Sequence, residues 1–387
     1  MNESEFYQRG RWFESELGRA SDFVSLLPKE LTLRDNGAIL ACADTKSCYT
    51  TPFEEISVVP YKQVQRDHMP WVEEFLNEFH MRIPTTPRGY ATRLLKSTEE
   101  AIRRAWDPKK FHVVSHSSGY DTRLISIAIQ NLHKELGDQW LGDLVFVEGD
   151  GEGAQTREIL KKLGWGDWPF YVYNEGADPH EYHARSIDFE NAWARFNGIT
   201  GFPLNVWYDP YEWFQEKALI PGDNKIQCFT GYGSNEIAKA FNTFGGFKWY
   251  TEWVYHHPLS TFKLKGDWVH PYYHIPLWRN LSQYHKFRYH NCGIAKYAIK
   301  YISPETWGMG GMGIVDREPT VRLLSNRLIT QAFMDYRDSW YGKNVHPEIA
   351  PPNPLMDYSP FWGEWCLASL CEHLLETGHT INADVDC

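Results

Sequence analysis

The sequence predicts an α/β protein: a doubly wound parallel sheet with a mostly helical C-terminal part. Three observations predict it. Short apolar runs alternate with helical stretches between residues 111 and 241, glycine-containing turns directly follow two of those runs, and long stretches after residue 242 carry apolar residues at helical spacing. Strands alternating with helices at this interval pair in parallel, because each helix carries the chain back across the sheet.

Taken in order, residues 1–65 read as irregular, with short strand-like pieces such as AILACAD. Residues 66–86 hold a short helix, MPWVEEFLNEFHMRI, and a Pro-Thr-Thr-Pro connector. The segment YATRLLKSTEEAIRRAW sets apolar or small residues on one helical face and charges on the other, and Pro108 stops it. A first strand, FHVVSH, feeds a helix over 122–137. Strand 143–150, helix 154–164, strand 169–174, strand 225–231 and helix 234–241 follow. The later helices are CGIAKYAIKYI, PTVRLLSNRLITQAFMDY and EWCLASLCEHLLETG. The expected division is an irregular region over 1–86, an α/β domain over 87–320, and a helical extension over 321–387 packed on that domain.

Composition narrows the function classes. A net charge of −11 argues against broad nucleic-acid binding. The 17 Trp and 22 Tyr serve as core and surface aromatics, or as a surface for an aromatic substrate or a protein partner. No stretch reaches the roughly 20 apolar residues of a membrane helix, so no membrane contact is expected. The start MNESEFYQRGRW lacks a signal-peptide apolar region, so the cytoplasm is the expected location. Seven irregularly spaced cysteines without a CxxC fit reduced thiols rather than a disulfide framework or zinc site.

Two turns carry the chemistry. In SSGYDT, Ser117–Thr122, Gly119 admits a phosphate close to the backbone, while Ser117, Ser118 and Thr122 can donate hydrogen bonds to it, with Tyr120 inside the same loop. Asp121 faces a phosphate favourably only across a cation, which implies Mg2+. In GYGSNE, Gly231 and Gly233 open the turn, and Ser234 or Asn235 can cap the following helix. Either turn alone also reads as an ordinary capped strand-to-helix connection; both gain weight by lying at strand ends along one sheet edge, where such sheets bind ligands.

Weaker candidates fall mostly to bland readings. His180 and His183 are three apart but lack an evident third ligand, and His270 and His274 flank Pro271. Lys161 and Lys162 read as an exposed helix face.

Together SSGYDT and FTGYGSNE resemble the asparagine synthetase family of PP-loop ATP pyrophosphatases, whose motifs read SGGxDS and approximately SGEGSDE. EGAQTREILKKLG and the region from HPYYHIPLW to CGIAKYAIKYISPE extend the resemblance over about residues 90–310. It implies a HUP-like fold, ATP and Mg2+, and adenylation of a small-molecule carboxylate with release of pyrophosphate, followed by attack of ammonia or an amine. By position, Ser117, Gly119, Asp121 and Thr122 would handle pyrophosphate and metal, the backbone at Phe146 and Val147 would lie along adenine, and Gly231 would approach the ribose or α-phosphate.

The departures are specific. Position 2 is Asn2 rather than the family's glutaminase Cys, and the region before residue 87 is too short for that whole domain, so no glutamine hydrolysis is expected. The family's catalytic Glu aligns with Tyr232, and its second metal-binding Asp aligns with Asn235. Tyr232 beside Glu236 could still transfer a proton. The family's Lys after the YISPE-like segment is missing, leaving Lys296 or Arg317 as the substitute cation. The alternatives are a catalytically reduced module that binds a nucleotide or a protein partner, and an enzyme that adenylates a nucleobase.

Overall fold

The computed structural model describes residues 12–20, 23–34, 51–60, 62–63, 86–148, 152–173, 210–222, 225–231, 267–273, 294–309, 326–348 and 360–383. The described strands are β1 (Phe13–Ser15), β2 (Gly18–Ala20), β3 (Glu30–Leu33), β4 (Ser57–Val58), β5 (Phe111–Ser115), β6 (Leu144–Glu148), β7 (Phe170–Val172), β8 (Ile226–Phe229), β9 (Asp267–Val269) and β10 (Thr380–Ala383). The described α-helices are α1 (Pro87–Ala105), α2 (Tyr120–Leu136), α3 (Asp138–Leu141), α4 (Gly153–Lys162), α5 (Pro210–Glu216), α6 (Ile294–Ile302), α7 (Asn326–Asp338), α8 (Trp340–Asn344) and α9 (Pro360–Glu376).

The expected parallel sheet is present, with strand order β7-β6-β5-β8-β9 and every pairing parallel. Its central strands are apolar because both faces are covered. Val113 faces one core with Val145 and Ile226, while Val114 faces the other with Leu144 and Phe146. Helices α2 and α4 carry the chain outward through β6 to β7, packing Leu124, Ile125, Ile159 and Leu160 on one face. The chain then returns to β8 beside β5, and Phe214 of α5 packs on the other face. The winding reverses between β5 and β8, the position in such sheets where ligands ordinarily bind.

Helix boundaries shift for local reasons. The Thr86 side chain accepts the Gly89 N–H at 3.0 Å and Pro87 occupies the first turn, so α1 starts three residues before the expected Tyr90. Gly119 takes the N-cap of α2, which starts at Tyr120 rather than at 122. Lys161 and Lys162 are exposed, as their pattern suggests.

A second core lies apart from this sheet. Phe13, Phe23, Leu31 and Phe53 from the N-terminal strands pack with Tyr336, Tyr341, Phe361 and Trp365 from the C-terminal helices. Strand β3 pairs in parallel with β10, Leu31 opposite Ile381. The sequence reading kept 1–86 and 321–387 apart; their described parts meet in one core. Val58 packs against both cores and joins the halves.

Candidate functional site

Strand β5 delivers the chain to this reversal point at Ser117. Gly119 has ordinary extended dihedrals, so φ does not explain it. A Cβ there would lie 2.9 Å from Ser117 Oγ, which instead accepts the Gly119 N–H at 3.1 Å. The buried Thr122 hydroxyl shares its proton between the carbonyls of Ser117 and Gly119, at 3.1 and 3.2 Å. The expected donor to phosphate is thus used within the loop in this arrangement. The Ser118 N–H, one residue before the N-cap of α2, donates to Glu152 Oε2 at 3.0 Å.

Gly231, the one described residue of the second turn, comes within contact of the first. A Cβ on Gly231 would stand 2.8 Å from Thr122 Cγ2, 2.9 Å from the Thr122 nitrogen and 3.0 Å from Asp121 Cβ. Only glycine lets the β8 exit lie against the N-terminus of α2. Tyr272, buried after β9, donates its hydroxyl to the Asp121 carbonyl at 2.8 Å; burial and the Asp121 charge push its pKa well up. Thr230 and His270 Nδ1 lie 2.7 Å apart across the neighbouring strand ends.

Arg123 is the buried anchor of the loop. Fully enclosed (0% exposed), its guanidinium donates to the carbonyls of Ser118, Thr306 and Met309, tying the Ser117–Thr122 loop to the turn that follows α6. Burial lowers its pKa to about 10, against the attraction of Tyr120 and Glu152, so it stays charged at neutral pH. The Tyr120 ring takes Arg123 at 4.3 Å and Lys296 at 5.4 Å from its centre, and its hydroxyl accepts the Gly308 N–H at 3.3 Å. Lys296 therefore stands beside the loop as a cation.

Phe146 and Val147, expected to lie along adenine, are buried in central strand β6: the Phe146 N–H donates to the Pro169 carbonyl at 2.9 Å, and the Val147 carbonyl accepts the His116 N–H at 2.8 Å. Tyr232, Gly233, Ser234, Asn235, Glu236 and Arg317 lie outside the described residues, as do His180, His183, His274 and helix 234–241.

Among the described residues no three His, Cys, Asp or Glu side chains gather into a metal cluster. Mg2+ needs only one or two carboxylates when phosphate oxygens complete its shell, so Asp121 in the first turn of α2 suits it. No helix among the described residues is long and apolar enough to cross a membrane. Sequence reasoning missed Glu152, Arg123 and Tyr272. The signal for Arg123 was a charge on the apolar face of α2; for Glu152 it was an acidic residue at a helix start that leaves its own helix uncapped.

No family model matches the chain, and no curated protein matches it. Among solved structures, the NAD+ synthetase from Burkholderia pseudomallei is similar at 14% identity and a TM-score of 0.26, covering 60% of this chain and 93% of that one. So loose a likeness carries no argument, and the site stands on this chain's own residues.

Proposed function

We propose that the chain binds ATP with Mg2+ at Ser117–Thr122, cleaves it to AMP and pyrophosphate, and adenylates a small-molecule carboxylate for amide formation with ammonia or an amine. The observation that carries this reading is the approach of Gly231 to Asp121 and Thr122 at the point where a parallel sheet reverses its winding. A nucleotide lying there would have its pyrophosphate at the start of α2 and its ribose or α-phosphate along Gly231.

In this reading the N–H groups opening α2 receive the pyrophosphate oxygens, aided by the positive end of the helix dipole. Asp121 would hold Mg2+, which when bound spreads the negative charge of the leaving group. Lys296, beside Tyr120, offers the cation that the missing family Lys would supply. Tyr232 with Glu236 would take the amine proton. The deciding assay is ATP–pyrophosphate exchange and AMP release across a panel of carboxylates. Exchange should require Mg2+ and a carboxylate and should vanish in Asp121→Ala. No nucleotide binding and no exchange, with Asp121→Ala indistinguishable from wild type, would sink the proposal.

A second reading is a nucleotide-binding module without turnover. The use of the Ser118 N–H and the Thr122 hydroxyl inside the protein favours it, as do Tyr232 and Asn235 in the second motif. Calorimetric binding of ATP with Mg2+, without AMP release on any carboxylate, would select it.

A further inference from the structure

We propose that Glu152 is a specificity-determining residue: an internal anion in the phosphate loop that admits a pyrophosphate group carrying a divalent cation and excludes the bare anion. The inference rests on the nucleotide reading above. Glu152 occupies the N-cap of α4, a position where the shorter Ser, Thr, Asp and Asn side chains ordinarily bond the first N–H groups of the helix. It makes no such bond. Its carboxylate crosses to the neighbouring strand's loop and accepts the Ser118 N–H at 3.0 Å.

That N–H lies in the loop one residue before the N-cap of α2, where successive backbone donors can also receive an anion. The carboxylate oxygen therefore stands at the place a phosphate oxygen would claim. Arg123 holds it there electrostatically: the guanidinium is buried behind the loop, bound to the Ser118 carbonyl, and attracted to Glu152. A bare phosphate approaching Ser118 meets a like charge already in place, and the helix end cannot satisfy both. A divalent cation reverses the sign, because such ions take one or two carboxylates together with phosphate oxygens. Asp121, in the first turn of α2, offers a second carboxylate to the same cation.

The test is calorimetric titration of inorganic pyrophosphate into the full chain, once with Mg2+ and once with a chelator. It compares wild type, Glu152→Gln and Glu152→Asp. Wild type should bind the Mg2+ form at least tenfold more tightly than the free anion. Glu152→Gln, which keeps an acceptor for Ser118 but not the charge, should bind the free anion roughly tenfold more tightly than wild type and shrink the gap to a few-fold. Glu152→Asp should keep the wild-type gap. A Gln variant with unchanged free-anion affinity, while wild type binds the Mg2+ form, overturns the role of Glu152 and leaves the nucleotide reading standing. A change shared by the Gln and Asp variants marks a structural effect and also overturns it. Failure of every form to bind pyrophosphate and ATP in either condition removes the nucleotide reading itself, and the inference with it.

Discussion

The two cores of the molecule bury ionisable groups of opposite character. Beneath the parallel sheet, His112 and His116 are enclosed and neutral, their pKa values pulled by burial to about 4 and about 3. His112 lies on Trp106 with ring centres 3.7 Å apart, and the Arg123 charge adds to the depression of His116. In the core built from the chain's two ends, Glu364 is fully buried and pushed above the usual carboxylate range, its Oε2 accepting the Tyr341 hydroxyl at 2.6 Å. Each group is cheapest without a charge, so the two halves respond to pH in opposite directions.

The largest loss of stability should come from Gly342 and the largest loss of binding from Gly231, one glycine in each half. In Gly342→Ala the new Cβ would collide with the Tyr336 carbonyl oxygen, a backbone atom that cannot swing aside. Loss of about 3 kcal/mol or more is expected on chemical denaturation, with ATP affinity of the folded protein unchanged. In Gly231→Ala the collision is with Thr122 and Asp121, so the stability loss should be about 1–3 kcal/mol while nucleotide binding disappears in calorimetry. Equal effects of both changes on binding would erase the functional difference between the halves.

Next comes Arg123→Leu. It leaves the carbonyls of Ser118, Thr306 and Met309 without their buried donor, and about 2–4 kcal/mol of stability should go with them. Arg123→Lys keeps the charge without the fork that reaches several carbonyls, so it should fall between the two.

The pH comparison is smaller and sharper. His112 and His116 have folded pKa values below the unfolded value near 6.5, so the stability they confer is full above pH 6.5 and is lost as pH falls toward about 4 and about 3. Glu364 has a raised folded pKa, so its contribution is full below pH 4.5 and is lost as pH rises through the raised value. Amide exchange, corrected for its intrinsic pH dependence, should show peptides from 111–148 losing protection on acidification while those from 360–376 gain it. The smallest effect belongs to Glu364→Gln. It keeps an acceptor for Tyr341, so it should be within about 1 kcal/mol of wild type at pH 5 and more stable at pH 8. A Gln variant equally affected at both pH values would mean that the carboxyl is not what sets the slope.

The parallel sheet was legible because β5, β6 and β8 are continuous apolar runs followed by helices of strong period. The loop stood out because Ser, Gly and Asp lie in that order between a strand and a helix, although the same residues also fit an ordinary capped turn. Strands β9 and β10 were not, since three or four residues give no readable alternation. The pairing of β3 with β10 left no local trace either, because nothing near Leu31 indicates that its neighbour is Ile381. Glu152 entered the sequence analysis only as the start of EGAQTREILKKLG, because its bond to Ser118 reaches a loop 34 residues away that no local pattern indicates.

The ladder between residues 30–33 and 380–383 has a consequence for synthesis. Strands β5 to β9 can pair as the growing chain leaves the ribosome, since each finds its neighbour within the part already made. The segment at 30–33, made long before them, can meet Phe53 early through the Leu33–Phe53 bridge, but it gains its parallel partner only with residues 380–383. During that interval Leu31 and Leu33, which end in the second core, lack the cover of the later helices. Residues 380–383 complete a strand made long before them, and the parallel sheet can be assembled before that pairing forms.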